Sequence, residues 1–491
     1  MNQNNIDIET TNIKNLYENK FNSIEFFWFL VFLLLSTSLL VTILNGANFF
    51  EYSVKTYCLI NFAVFISCYI FNLVYLRLYI LSLPQIFLLV TFLYTSGLLT
   101  LHGFGLSDLS LTLRWYDEFY TLLGIKMIIM AVLSMEAGVC LAIFRKYNEP
   151  TIKEAFIVDR FAKPLFKLGI FCFLISVAII TLSTMMGSGF SSMFTSGYEG
   201  LTTTLQYSDV RFFLTALSLL LPVSIIIMAA GSRNKRQIRI VYFCALIALM
   251  AFFLAGDRGG AFTFLIALAF TLSLIGKKYS YTKILIGAML ALILIPIIRD
   301  LRHQPISDMV NYGIEFNFEE SPFVRALVET GSSFQTFLGT LIIIPDIENY
   351  RYGSTYLHAF TKIFPNLGSW KPPSGEIVGL NAWITSYMNP FGSGLAFLQI
   401  AEFYVQFGVV GIFLGFLAMG YFLTKWQKKC ESGLSDRRWI AINGCVLCFL
   451  LIWIRNDIFN FIRPAMWSIF LILGWSFLTQ RFSSKDPVAM D

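Results

Sequence analysis

Long apolar runs separated by short polar turns dominate the chain. A helix needs about 20 apolar residues to cross a bilayer. Runs of roughly that size fall near 24–45, 56–80, 84–103, 119–144, 165–185 and 211–231, and again near 240–256, 260–276, 283–298, 397–424, 439–457 and 464–480. Open backbone inside lipid would leave polar groups unpaired, so each run is predicted to be an α-helix. The pattern therefore predicts an all-α, polytopic integral membrane protein of about 12 transmembrane helices. One further run, 332–345 (SSFQTFLGTLIIIP), is short and half polar. It is expected to stay on the outer side or to dip in and return, unless it has an unrecognised partner crossing.

The turns supply the orientation. Basic residues gather at 145–167 (Arg145, Lys146, Lys153, Arg160, Lys163, Lys167), at 232–239 (SRNKRQIR), near Lys277, Lys278 and Lys283, and at 425–438. Positively charged loops stay cytoplasmic, and twelve spans put all four on the same side as both chain ends. The organisation expected is a cytoplasmic tail at 1–23, nine helices over 24–298, a large outer segment at 299–396, three helices over 397–480 and a cytoplasmic tail at 481–491. The outer segment, rich in aromatics and turns, is expected to be ordered as short helices. The first 22 residues are polar and lack a basic region feeding a short cleavable core, so no secretory leader is expected.

Composition agrees and excludes alternatives. Of 491 residues, 56% are hydrophobic and only 13% charged, with mean hydropathy +0.68. Soluble domains carry roughly 25% charged residues, so a water-soluble enzyme is ruled out. The net charge of +6 sits in the cytoplasmic turns, where it sets topology rather than marking a nucleic-acid surface. The eight cysteines read as small buried hydrophobes. With only three histidines, no metal cluster is in prospect.

Against this background, three basic clusters stand at the outer ends of late helices. Asp257 and Arg258 lie in the tight turn GDRGG at 256–260. Arg299, Asp300, Arg302 and His303 open the outer segment. Arg455, Asn456, Asp457 and Arg463 form another outer turn. Arginine forks bind phosphate through two parallel bonds. The plainer alternatives are arginines that reach lipid headgroups and aspartates that pair with them. Glu402 lies a few residues into the apolar run 397–424, where an ionisable group is by default a functional candidate. As general acid or base it competes with His303 and His358, or it pairs structurally with an arginine. Glu136 reads as a structural hydrogen-bonding or packing group. Lys371, in the rigid turn SWKPPSG, could reach a phosphate. The chain has no P-loop, dinucleotide fingerprint or Asp-x-Asp, so an activated substrate must supply the energy of any reaction.

The run from Tyr350 (YRYGSTYLHAFTKIFPNLGSWKPP), AEFYVQFGVVG at 401–411, RNDIFNFIRPAMW at 455–467 and the GDRGG turn together resemble the O-antigen polymerase (Wzy) family. The resemblance covers roughly 210–480. It implies a GT-C-like polymerase/ligase architecture and a bacterial inner-membrane glycosyltransferase acting on the periplasmic side. Such an enzyme moves a glycan en bloc from undecaprenyl diphosphate onto a lipid-linked repeat unit, with inversion and without a nucleotide sugar, cofactor or metal. The implied partners are the lipid-linked donor and acceptor and membrane lipid, with a chain-length regulator left open and no nucleic acid. Carried onto this chain, Arg258 and Arg299 would hold diphosphate, with Arg302, Arg455 and Lys371 as further candidates. Asp257, Asp300 and Asp457 would support them. Glu402 corresponds to the family's motif acid, ahead of His303 or His358. Tyr352, Tyr356, Trp370 and Trp383 would stack on sugar rings. Val405 and Gln406 depart from the expected Tyr-x-Asn-Phe-Gly run, which puts any role for Gln406 in doubt. An O-antigen ligase, which shares the donor, and a flippase or secondary transporter are the rival classes.

Overall fold

A computed structural model describes residues 26–46, 53–144, 161–185, 216–254, 257–276, parts of 279–290, 321–364, 379–390, 395–432 and 436–483. The described residues are helices joined by turns. They fall into two compact units, one drawn from 1–153, 334–353 and 400–432 and the other from 154–333, 354–399 and 433–491.

The first unit holds α1 (Phe26–Leu44), α2 (Val54–Ile70) with a π-turn at Phe71–Tyr75, α3 (Leu83–Gly103), the short α4 (Leu109–Thr112) and α5 (Glu118–Phe144). To these it adds α11 (Phe334–Ile343) and most of α14 (Gln399–Ser432). α3 and α5 are apolar nearly all round and largely buried, as expected of helices at the centre of a bundle. α5 and α14 cross with backbones almost touching. A β-carbon on Gly138 would fall 2.1 Å from the Leu417 carbonyl oxygen, and one on Gly420 would fall 2.0 Å from that of Met135. Small residues drive this kind of approach between helices in lipid. Gly420→Ala should therefore push the pair apart and cost about 1–3 kcal/mol or more. Thermal unfolding in detergent checks this, and an unchanged midpoint would show that the crossing is looser than described. Inside this unit Asn72, in the π-turn, donates from Nδ2 to Glu136 Oε1 at 3.0 Å, the structural hydrogen bond expected of that acid.

The second unit holds α6 (Ala162–Met185), α7 (Leu221–Gly231), α8 (Lys235–Leu254), α9 (Arg258–Leu274), α10 (Pro322–Gly331), α12 (Ser354–Thr361), α13 (Leu380–Met388), α15 (Arg437–Trp453) and α16 (Phe459–Ser483). Its axis is α7, preceded by a π-turn at Ala216–Leu220, with every residue of LPVSIIIMAAG buried. α6, α8, α9 and α15 pack around it. Glycines admit the closest neighbours, as at Gly444, where a β-carbon would meet Thr271 Oγ1 at 2.1 Å.

Seven described helices are long and apolar enough to cross a membrane: α1, α2 with its π-turn, α3, α5, α6, α14 and α16. The stretch 216–231 and α9 are apolar but shorter. The all-α, multi-pass reading holds, while seven rather than twelve helices meet both criteria among the described residues. Much of the predicted run 283–298 lies outside them. The run 332–345 becomes α11, whose ten residues rise only about 15 Å, half the apolar thickness of a bilayer. It packs on α3 and α5. All eight cysteines are free and buried.

Candidate functional site

In the second unit the turn between α8 and α9 is organised by Asp257. Its carboxylate caps α9, accepting from the Gly260 N–H at 2.9 Å. The cap demands glycine, because a β-carbon on Gly260 would fall 2.5 Å from Asp257 Oδ2 and 2.9 Å from the Phe252 ring. Arg258 opens the helix and forms an ion pair with the buried Glu329 of α10. Arg455, in the turn between α15 and α16, brings Nη1 to 3.6 Å from where a β-carbon on Gly259 would lie. The Arg455 guanidinium thus reaches the first turn of α9, which Arg258 opens, capped by Asp257 and with Arg258 paired to Glu329. This end of a helix carries partial positive charge. Such a corner suits phosphate oxygens.

The adjoining turn is fixed by Asp457. Its buried carboxylate accepts from the backbone N–H groups of Leu380 and Asn381, at the start of α13, and from Asn460 Nδ2 at 2.8 Å. α13 begins at Gly379, which has no capping side chain, so Asp457 supplies the cap from another element. A β-carbon on Gly379 would lie 2.6 Å from Asp457 Oδ2. Lys362 Nζ sits 3.6 Å above the Phe459 ring centroid and faces Asp457. Burial pushes the Asp457 carboxyl up and the Lys362 ammonium down, and the attraction between them opposes both shifts. Trp467 Nε1 donates to the Ile363 carbonyl at 2.8 Å. The Phe397 N–H donates to the Arg455 carbonyl at 2.9 Å. Asp457→Ala should cost about 1–2 kcal/mol, the value of a lost cap, and Asp457→Asn less, since asparagine caps equally well. Amide exchange at 380–388 reports this, and unchanged protection in the alanine variant would show that α13 does not lean on Asp457.

Glu402 belongs to the first unit, and here the structure corrects the sequence. The run 397–424 is not one continuous helix. α14 breaks at Phe407 (φ −142°, ψ 18°) and Gly408 (φ 64°, ψ −151°). Phe403 and Gly415 would be about 18 Å apart along a straight helix. Instead the Phe403 ring lies 2.8 Å from where a Gly415 β-carbon would sit, and its centroid is 5.7 Å from that of Phe416. The half-helix carrying Glu402 folds back along the second half. That second half, 409–432, rises about 36 Å, enough by itself to cross a membrane. Glu402 is fully buried in the half that precedes it.

The break frees backbone carbonyls, and residues 350–353 take them up. The Arg351 N–H donates to the Val405 carbonyl at 2.9 Å and the Tyr352 N–H to the Gln406 carbonyl at 3.0 Å. The Gly353 N–H donates to Gln406 Oε1 at 2.9 Å. Gln406, the family departure, is thus a clamp on this strap.

The remaining candidates separate clearly. Tyr352 is 73% exposed, with a left-handed φ of 46°. Tyr356 is half-buried on α12. Trp383 is buried on α13, with edge contacts to Tyr387 and Phe397. His358, half-buried on α12, donates from Nδ1 to the Ser354 carbonyl at 2.6 Å. That bond leaves Nε2 as the nitrogen able to accept a proton. Arg299, Asp300, Arg302, His303, Trp370 and Lys371 lie outside the described residues. Glu329 and Lys362 were missed in the sequence. The Ser-Pro start at 321–322, a helix-opening signal, was the one sign that Glu329 rides on an ordered element.

These features define a class: an all-α, multi-pass membrane protein with two arginines gathered at a helix start. Residues 24–485 match the family of the O-antigen polysaccharide polymerase Wzy, and the chain belongs to that family. No curated protein and no solved structure matches it.

Proposed function

We propose that the chain is a polysaccharide-polymerising glycosyltransferase of the bacterial inner membrane, with twelve spans, cytoplasmic termini and its site at the periplasmic face. The donor is a glycan on undecaprenyl diphosphate, and the acceptor is a lipid-linked repeat unit. The observation that carries the reading is the meeting of Arg258 and Arg455 at the first turn of α9, within a chain of the Wzy family.

The chemistry follows from that corner. The bond between the anomeric carbon and the diphosphate oxygen breaks, and the electron pair leaves with the diphosphate. Fixed guanidiniums stabilise the charge that grows there, with Arg299, Arg302 and Lys371 as further contacts and Asp257 and Asp300 as supports. The acceptor hydroxyl attacks opposite the leaving group, inverting the centre, and gives its proton to Glu402, or to His303 or His358. Tyr352, Tyr356 and Trp370 bear on the sugars. The activated donor supplies the driving force, so the scheme calls for no nucleotide, cofactor or metal.

Purified protein given a defined lipid-linked repeat unit tests the reading. Extension into a ladder of longer lipid-linked glycans supports it. Transfer only to a lipid A core acceptor would make the chain a ligase, and translocation without a new glycosidic bond would make it a transporter.

A further inference from the structure

Gln399, the first residue of α14, is 2% exposed, and neither its Oε1 nor its Nε2 has a hydrogen-bond partner among the described residues. A buried amide left with both functions unmet carries the full desolvation penalty of each group, and native proteins rarely keep one without a reason. Its backbone is held firmly. The Gln399 N–H donates to the Ile454 carbonyl at 3.1 Å, and two residues earlier the Phe397 N–H donates to the Arg455 carbonyl. Gln399 is therefore registered directly beside Arg455, whose guanidinium reaches the first turn of α9.

We propose that Gln399 is a sugar-binding, specificity-determining residue, whose carboxamide hydrogen-bonds hydroxyl groups of the sugar next to the diphosphate. This rests on the reading of Arg455 as a diphosphate contact. The choice of ligand follows from the two unmet functions. A diphosphate offers only acceptors and would leave Oε1 unpaired. A sugar hydroxyl both donates and accepts, so two neighbouring hydroxyls satisfy Oε1 and Nε2 together. Position agrees with chemistry, since the first sugar is covalently joined to the group that Arg455 would hold. A site built to hydrogen-bond a hydroxyl rejects the analogue that lacks it, because its own polar atoms are then stranded.

The test uses the full-length protein with two variants, Gln399→Leu and Gln399→Met, and two lipid-linked substrates, the natural repeat unit and one deoxygenated on the sugar beside the diphosphate. Both apolar variants should fold with an unchanged or higher melting temperature, because a stranded polar group has been removed. Their kcat/KM on the natural substrate should fall by about 10- to 100-fold, in line with one or two lost hydrogen bonds. The wild type should lose a similar factor on the deoxy substrate. The variants should lose no more on it, so that the two changes fail to add. Full activity of both variants, or additive losses, would overturn the assignment while leaving the polymerase reading intact. Failure of both variants to fold would also overturn it, since the amide would then have a structural role. A wild-type protein inert towards every lipid-linked glycan would remove the reading of Arg455 itself, and this inference with it.

Discussion

Arg258→Ala is expected to leave cells with single lipid-linked repeat units in place of polymer, and to lower turnover by at least about 100-fold, the scale for losing one preorganised charge at a leaving group. The same substitution removes the ion pair between Arg258 and Glu329. Losing one partner of this half-buried pair also lowers stability, so lost activity has to be separated from lost protein. Glu329→Gln separates the two effects, because the neutral amide needs no counter-ion. The double variant Arg258→Ala/Glu329→Gln should recover most of the stability in detergent and almost none of the turnover. A double variant that is both stable and active would remove Arg258 from the site.

Gly408→Ala should damage the protein through the backbone rather than through any lost contact. At φ 64° and ψ −151° the residue occupies a region open essentially only to glycine, and strain there is worth about 1–3 kcal/mol. The added methyl would also lie 3.1–3.2 Å from Tyr350. Gly408→Val should be worse, since a branched side chain adds bulk at the same point. Tyr350→Leu in the alanine background should restore only the part due to crowding. Melting temperature and the yield of monodisperse protein measure this sequence of effects. A Gly408→Ala protein as stable as the parent would mean that α14 runs unbroken through this point.

The membrane helices were legible because lipid imposes a coarse rule. A span must be apolar over its whole length, so α3, α5 and α6 can be read directly from the run of residues. The break in α14 was not legible, because QFGVVG is as apolar as its surroundings and glycine is ordinary in membrane helices. Only the third dimension shows Phe403 against Gly415. The turn GDRGG announced Asp257 and Arg258 through charge in a cramped place. It did not announce Glu329, which comes from a distant helix and looks like any surface acid. Trp383 stands out in the sequence as an aromatic in a polar segment, but residue type alone does not reveal its burial beside Tyr387 and Phe397. Gln399 drew no notice because a glutamine at a helix start is usually solvated. Its significance lies in burial, which composition does not record.

The eight buried thiols have a practical consequence. A membrane-impermeant maleimide should find none of them in the folded protein, so single reporter cysteines can be introduced into the otherwise native chain. Asn234, exposed in the basic turn before α8, and Leu111, exposed at 86% beyond α3, are suitable positions. In intact spheroplasts, labelling of Leu111→Cys together with protection of Asn234→Cys would fix which side of the bilayer each turn faces. The orientation of the arginine corner could then be mapped turn by turn.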